Sequence, residues 1–271
     1  MGSAGQRKGS ERKRIEDLRG FLIDLDGVLY TGTTPVPGSM EALHALDEKG
    51  YPYRFISNST RRRRSSIAEK LHRMGYAIDP ACILTPAVAA ARTLVQQGKQ
   101  SCLLLSTGDV HRDFEEHGIV TDDPHADTVI VADAGDAFTY QGLTEAFRLL
   151  LSGGELLALE KDRFWMGDTG LMLSAGPFVA ALEFASGKTS RLIGKPAKEF
   201  FLQAVGELRL DPGMVAMIGD DISSDILGAK ACGMKGFLVK TGKFREEEVR
   251  RSPVRPDLIM DSLAALPMYL P

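Results

Sequence analysis

Between Phe21 and Tyr30 the chain reads Phe-Leu-Ile-Asp-Leu-Asp-Gly-Val-Leu-Tyr, an apolar strand that ends in two carboxylates followed at once by glycine. Side chains alternate along a strand, so Asp24 and Asp26 start on the same side. Two like charges at the end of a buried strand require a cation to hold them. Magnesium fits, because it prefers oxygen ligands and keeps a phosphate in its shell. Gly27 allows a tight turn and a close backbone approach to a ligand. Taken alone, the Asp-Gly pair also reads as an ordinary turn at a strand end.

Three further segments extend the pattern. Arg54–Ser59 reads as a second strand ending in a hydroxyl and an amide, Ser57 and Asn58. Ile193-Gly194-Lys195-Pro196 holds a lysine between glycine and proline. Val215–Asp225 is a third strand running into an acidic loop with Asp220, Asp221 and Asp225. Together, in this order, the four segments resemble the motifs of the haloacid dehalogenase superfamily of phosphatases.

That resemblance implies an Mg2+-dependent phosphohydrolase acting on small phosphorylated metabolites through an aspartyl-phosphate, with pyrophosphate and phosphoamides as further substrates. A phosphate monoester repels an attacking anion, so catalysis must align the nucleophile and neutralise the phosphoryl oxygens. By resemblance, Asp24 is the nucleophile. Asp26 is the general acid, then the base, and lends its backbone carbonyl to the metal. Ser57 donates to a phosphoryl oxygen, helped by the backbone amides of Gly27 and Asn58. Lys195 is the cation for Asp24 and the phosphate. The metal set is Asp24, Asp26 and Asp220, with Asp225 behind it orienting the lysine or metal waters. Asp221 is read either as a water-mediated ligand or as a helix cap. Ser57 stands where many relatives carry threonine, which keeps the hydroxyl.

Order along the chain sets the architecture. Strand, helix, strand and helix with short connections over residues 21–75 imply parallel strands with right-handed crossovers. Such sheets bind ligands at the carboxyl ends of their strands, where Asp24, Asp26 and Ser57 fall. The fold class expected is α/β, a Rossmann-like parallel-sheet core over 15–81 and 191–271. The stretch 82–190 reads as a second α/β unit and resembles a C2-type cap. Residues 1–14, basic and rich in glycine and serine, read as a disordered N-terminus rather than a signal peptide. Ser39 is the expected cap of a helix over 41–49.

Composition narrows the partners. With 44% hydrophobic and 25% charged residues, a folded core is expected, and a net charge of −3 gives no reason to invoke nucleic acid or a membrane surface. Cys82, Cys102 and Cys232 cannot all pair, which favours a reduced cytoplasmic setting. Assembly as a homodimer through the cap is the expectation.

Two features fall outside the motifs. Arg61–Arg64 follows Ser57-Asn58 directly, so one or two of these arginines could face substrate while at least two face solvent. Trp165, the only tryptophan, lies in a stretch read as a loop, Arg163–Gly170. It is the candidate for selecting the leaving group by stacking, the alternative being an aromatic packed in the cap interior. A phosphotransferase or mutase on the same fold, or a non-catalytic phospho-ligand binder, are the competing functional readings. The intact acids and Lys195 argue against the last.

Overall fold

The computed structural model describes residues 17–167 and 170–271. The expected N-terminal segment 1–14, and Asp168 and Thr169 of the expected loop, lie outside the described residues. The chain divides into two compact units. One holds the residues up to Ser57, with Ala68–Leu84 and Pro196–Pro271; the other holds Asn58–Ile67 and Thr85–Lys195. The second unit thus starts and ends later than the expected 82–190, and it also takes in the arginine-rich segment and Lys195.

The first unit is built on a six-stranded sheet. Its strands are β1 (Gly20–Asp24), β4 (Tyr53–Ile56), β5 (Ile83–Leu84), β12 (Val215–Gly219), β13 (Lys235–Val239) and β14 (Leu258–Met260). The order is β14-β13-β12-β1-β4-β5, and every pairing is parallel. All five residues of both β1 and β12 are buried, the unbroken apolar run expected of a sheet covered on both faces. From β1 the chain steps to β4 on one side, and β12 arrives much later on the other. That reversal of direction is where open α/β sheets bind ligands. A small antiparallel pair, β2 (Tyr30–Thr31) and β3 (Thr34–Pro35), follows the Asp-Gly turn.

Ser39 does not cap its helix. The helix is Ser39–Glu48 with Gly38 in the cap position at φ 78°. The Ser39 hydroxyl is buried instead, 2.6 Å from the Val36 carbonyl and 2.6 Å from the Tyr76 hydroxyl. The loop before this helix needs a left-handed residue, which glycine supplies and serine does not.

The second unit has a four-stranded parallel sheet in the order β11-β8-β7-β6. Its strands are β6 (Leu103–Leu105), β7 (Thr128–Val131), β8 (Glu155–Ala158) and β11 (Arg191–Leu192). Helices Tyr140–Leu151 and Gly176–Ser186 pack Leu149, Leu150, Val179 and Leu182 onto Val129, Val131 and Leu156. Thr85 caps helix Pro86–Gln96 through its hydroxyl, which accepts from the Val88 N–H at 3.3 Å. The stretch expected as a loop is a hairpin, β9 (Phe164–Gly167) and β10 (Gly170–Leu173). The expected α/β class, a parallel-sheet core with an inserted α/β unit, therefore holds. Among the described residues no helix is long and apolar enough to cross a membrane.

Candidate active site

In the first unit the motif acids meet at the carboxyl edge of the sheet. Ile23 pairs with Ile218, and Asp24 with Ile56. This register brings Asp24, Asp220 and Ser57 out at the same edge. Carboxylate oxygens of Asp24, Asp220 and Asp225 lie within 4.8 Å of one another, and the three residues are only 7%, 2% and 0% exposed. Three buried carboxylates this close repel strongly unless a cation neutralises them. A set made only of hard oxygen donors is the set magnesium selects. Asp225, expected behind the ligands, lies with Asp24 and Asp220 in this group. Asp26, expected to lend its backbone carbonyl, is exposed.

Asp26 has its own electrostatics. Although its tip is open to solvent, the protein around it raises its pKa above the ordinary carboxylate value, and the charge of Asp24 adds to this. Lys70 and Lys243 act in the opposite sense. Asp24 is buried and Asp26 exposed, so two carboxyls two residues apart have different surroundings.

The turn after Asp26 is shaped by a close approach. Gly27 has φ 83°, and a β-carbon there would lie 1.9 Å from Asp220 Oδ2; at Gly242, with φ 62°, it would lie 2.0 Å from the same oxygen. Asp220 is therefore wedged between two glycines that no other residue can replace. The Lys243 N–H donates to Asp220 Oδ2 at 2.7 Å, and the Thr241 hydroxyl donates to the Gly27 carbonyl. The Gly27 N–H is already used, donating to the Tyr30 carbonyl at 2.7 Å. Gly27 here contributes room and turn geometry. The sequence reading gave no role to Thr241, Gly242 and Lys243, although a Thr-Gly pair straight after a predicted strand was a usable signal.

Asp221 acts as the helix cap, one of the two roles left open for it. Its carboxylate accepts from the N–H groups of Ser223 and Ser224 at 2.8 and 3.2 Å. The Asp221 N–H in turn donates to Asp225 Oδ2 at 3.2 Å, so cap and trio are coupled.

The second unit holds Asn58, Trp165 and Lys195. Asn58 clasps the lysine's backbone. Its Oδ1 accepts from the Lys195 N–H at 2.8 Å, and its Nδ2 donates to the Lys195 carbonyl at 3.2 Å. Lys195 itself is 5% exposed. The arginine run is engaged by acids of its own unit rather than left facing solvent. Arg61 pairs with Asp133 at 2.9 Å, Arg63 approaches Asp109 at 3.7 Å, and Arg64 pairs with Glu116 at 3.1 Å. Arg62 is exposed. Trp165, 38% exposed, is on the hairpin rather than packed inside the unit, and the Arg61 guanidinium carbon lies 5.0 Å from its ring centre.

The comparisons with known proteins agree with this arrangement. The family described as haloacid dehalogenase-like hydrolase matches residues 21–120, and one described as HAD-hydrolase-like matches 192–266. The chain is 38% identical over 258 residues to the Homo sapiens phospholysine phosphohistidine inorganic pyrophosphate phosphatase, covering 93% of this chain and 94% of that protein. It is 40% identical over 239 residues to the Bos taurus haloacid dehalogenase-like hydrolase domain-containing protein 2, covering 87% and 90%. The fold matches a 4-nitrophenylphosphatase from Thermotoga maritima with a TM-score of 0.88 at 26% identity, covering 94% of this chain and 98% of that one. The chain belongs to the haloacid dehalogenase-like hydrolases, in their NagD-like group, and is a phosphatase enzyme.

Proposed function

We propose that the chain is an Mg2+-dependent phosphohydrolase acting on small phosphorylated metabolites through an aspartyl-phosphate intermediate. The carrying observation is the buried trio Asp24, Asp220 and Asp225 at the carboxyl edge of the sheet. Magnesium, held by Asp24, Asp220 and Asp225 with the Asp26 carbonyl, would supply positive charge to the phosphoryl oxygens and keep Asp24 ionised.

The residues then divide the work. An Asp24 oxygen bonds to phosphorus while the bond from phosphorus to the leaving oxygen breaks with its electron pair. Asp26 gives that oxygen its proton. Asp26, now a carboxylate, takes a proton from water as the water oxygen attacks phosphorus. The bond to Asp24 breaks, and inorganic phosphate leaves. Ser57 donates a hydrogen bond to the phosphoryl group, and Lys195 supplies a fixed cation whose backbone Asn58 holds.

The human relative, a phospholysine phosphohistidine inorganic pyrophosphate phosphatase, extends the proposed substrate class to P–N bonds and to pyrophosphate. The same step accommodates both, because Asp26 can protonate a leaving nitrogen or phosphate oxygen as well as an alcohol. The test is phosphate release from a panel of phosphate monoesters, phosphoamino acids and pyrophosphate, with magnesium and then with EDTA. Release with magnesium that EDTA abolishes is the expected result. Transfer to an added alcohol without net release of phosphate would replace hydrolase by phosphotransferase.

A further inference from the structure

Glu160 is a carboxylate that the proposed chemistry does not use, yet it is only 4% exposed. It follows β8 in the second unit, just before the hairpin Phe164–Leu173. One of its oxygens accepts from the Ser174 hydroxyl at 2.5 Å and from the Ala175 N–H at 2.9 Å. The other accepts from the Asp162 N–H. Asp162 is the entrance to the hairpin, and Ser174 and Ala175 are its exit, so a single side chain bridges both roots. Two backbone bonds close the same neck: the Gly176 N–H donates to the Asp162 carbonyl at 3.1 Å, and the Ser174 N–H to the Arg163 carbonyl at 3.3 Å.

The hairpin's described apolar side chains lie mostly outside the core. Phe164, Met166, Leu171 and Leu173 are 53–71% exposed, so the strands bury almost no core of their own. A two-stranded hairpin is marginal in water without such packing. Beyond its neck, the Arg61 guanidinium stacks over Trp165 of the hairpin. A buried carboxylate is also a costly way to fill this position, because desolvation works against its charge. Burial raises the Glu160 pKa, opposed by the Ser174, Ala175 and Asp162 bonds. A site that only needed filling would be served by an apolar residue at lower cost. What the carboxylate adds is acceptors pointing to two strand roots at once.

We propose that Glu160 is a positioning residue for substrate selection: by tying the entrance and exit of the hairpin together it fixes where Trp165 is presented. The proposal rests on reading the hairpin as the part that meets the leaving group. Glu160 itself touches no substrate. Its loss therefore leaves phosphoryl chemistry intact and blurs the choice among leaving groups.

The experiment compares Glu160→Ala, Glu160→Gln and Trp165→Ala with the parent enzyme. Each is assayed with p-nitrophenyl phosphate and with a panel of bulkier phosphate monoesters, and backbone hydrogen exchange is followed across 160–176. Glutamine keeps one acceptor oxygen and so holds one root, whereas alanine holds neither. For Glu160→Ala, kcat on p-nitrophenyl phosphate should stay within about threefold of the parent, while KM for the preferred bulky esters rises about tenfold. Glu160→Gln should fall between the two, and exchange should quicken in the hairpin strands only. If both Glu160 variants leave the ranking of substrates and the exchange unchanged while Trp165→Ala alters the ranking, the positioning role is overturned and the hairpin reading stands. If Trp165→Ala also leaves the ranking unchanged, the hairpin reading fails and the role of Glu160 in selection fails with it. Should Glu160→Ala not fold, the glutamine variant carries the same comparison, and unchanged KM values in it overturn the proposal.

Discussion

Asn58 and Lys195, 137 positions apart, hold each other by a reciprocal pair of hydrogen bonds, side-chain amide to backbone amide. The lysine's main chain is thereby fixed before its ammonium group does anything. Asn58→Ala should cut kcat by about 10- to 100-fold through misplacement of Lys195, with KM changing less. Steady-state kinetics on p-nitrophenyl phosphate checks this. A change confined to KM would instead assign Asn58 to ground-state binding.

Asp24→Asn removes the nucleophilic charge at constant size and should abolish turnover, with the far-ultraviolet circular dichroism unchanged. Asp26→Asn should discriminate by leaving group. Loss on an alkyl phosphate, whose alkoxide needs a proton, should be about 100-fold or more. Loss on p-nitrophenyl phosphate, whose phenolate leaves unprotonated, should be smaller. Equal losses on both would remove Asp26 from the acid role.

Asp225 and Asp221 differ in what their removal should cost. Asp225→Ala takes an oxygen from the trio and should raise the magnesium concentration needed for half-maximal activity. Asp221→Ala removes a helix cap and should cost about 1 kcal/mol of stability with a smaller effect on magnesium dependence. Magnesium titrations and urea melts of the two variants separate the roles. Calcium should inhibit the parent enzyme, because it takes more ligands at longer distances than magnesium.

The motif acids were legible because charge at the end of an apolar strand has few physical explanations. Asp24 and Asp220 were paired through the resemblance of the four ordered segments to the haloacid dehalogenase motifs. Asp225 was read as standing behind the ligands, and the short helix start Ile222–Ile226 sets it beside Asp24 and Asp220. The arginine run was opaque for a different reason. Its partners Asp109, Glu116 and Asp133 lie about 40–70 residues downstream, and no local pattern announces a pairing over that span. The hairpin was missed because Phe-Trp-Met and Leu-Met-Leu are apolar throughout. Without alternation, the period-two signal of a half-buried strand is absent.

Asp113 links pH to stability. It is fully buried, and burial pushes its carboxyl up from 3.8 to about 6, with the Arg64 N–H and the Thr85 hydroxyl acting the other way. Between those two values the folded chain keeps a proton that the unfolded chain has lost. Its contribution to stability is therefore largest below the unfolded value and falls as pH rises to about 6, by on the order of 3 kcal/mol in total. Asp113→Asn cannot titrate. The stability difference between Asp113→Asn and the parent should move in favour of the variant from pH 4 to pH 6 and then level off. Urea melts across that range supply the measurement, and a flat difference would contradict the buried-acid reading.

The wedging of Asp220 between Gly27 and Gly242 has a consequence for biosynthesis. On the ribosome β1 is made long before its neighbour β12, some 190 residues away, and the loop that closes over Asp220 comes later still. A nascent chain that stops short of Val215 carries β1 with one edge unpaired and lacks Asp220. Pairing across such a span is slow and exposes the chain to misassembly. Catalytic competence therefore arrives all at once, only when β12 and the Gly242 loop have been made, and products truncated before them should be inert rather than partly active.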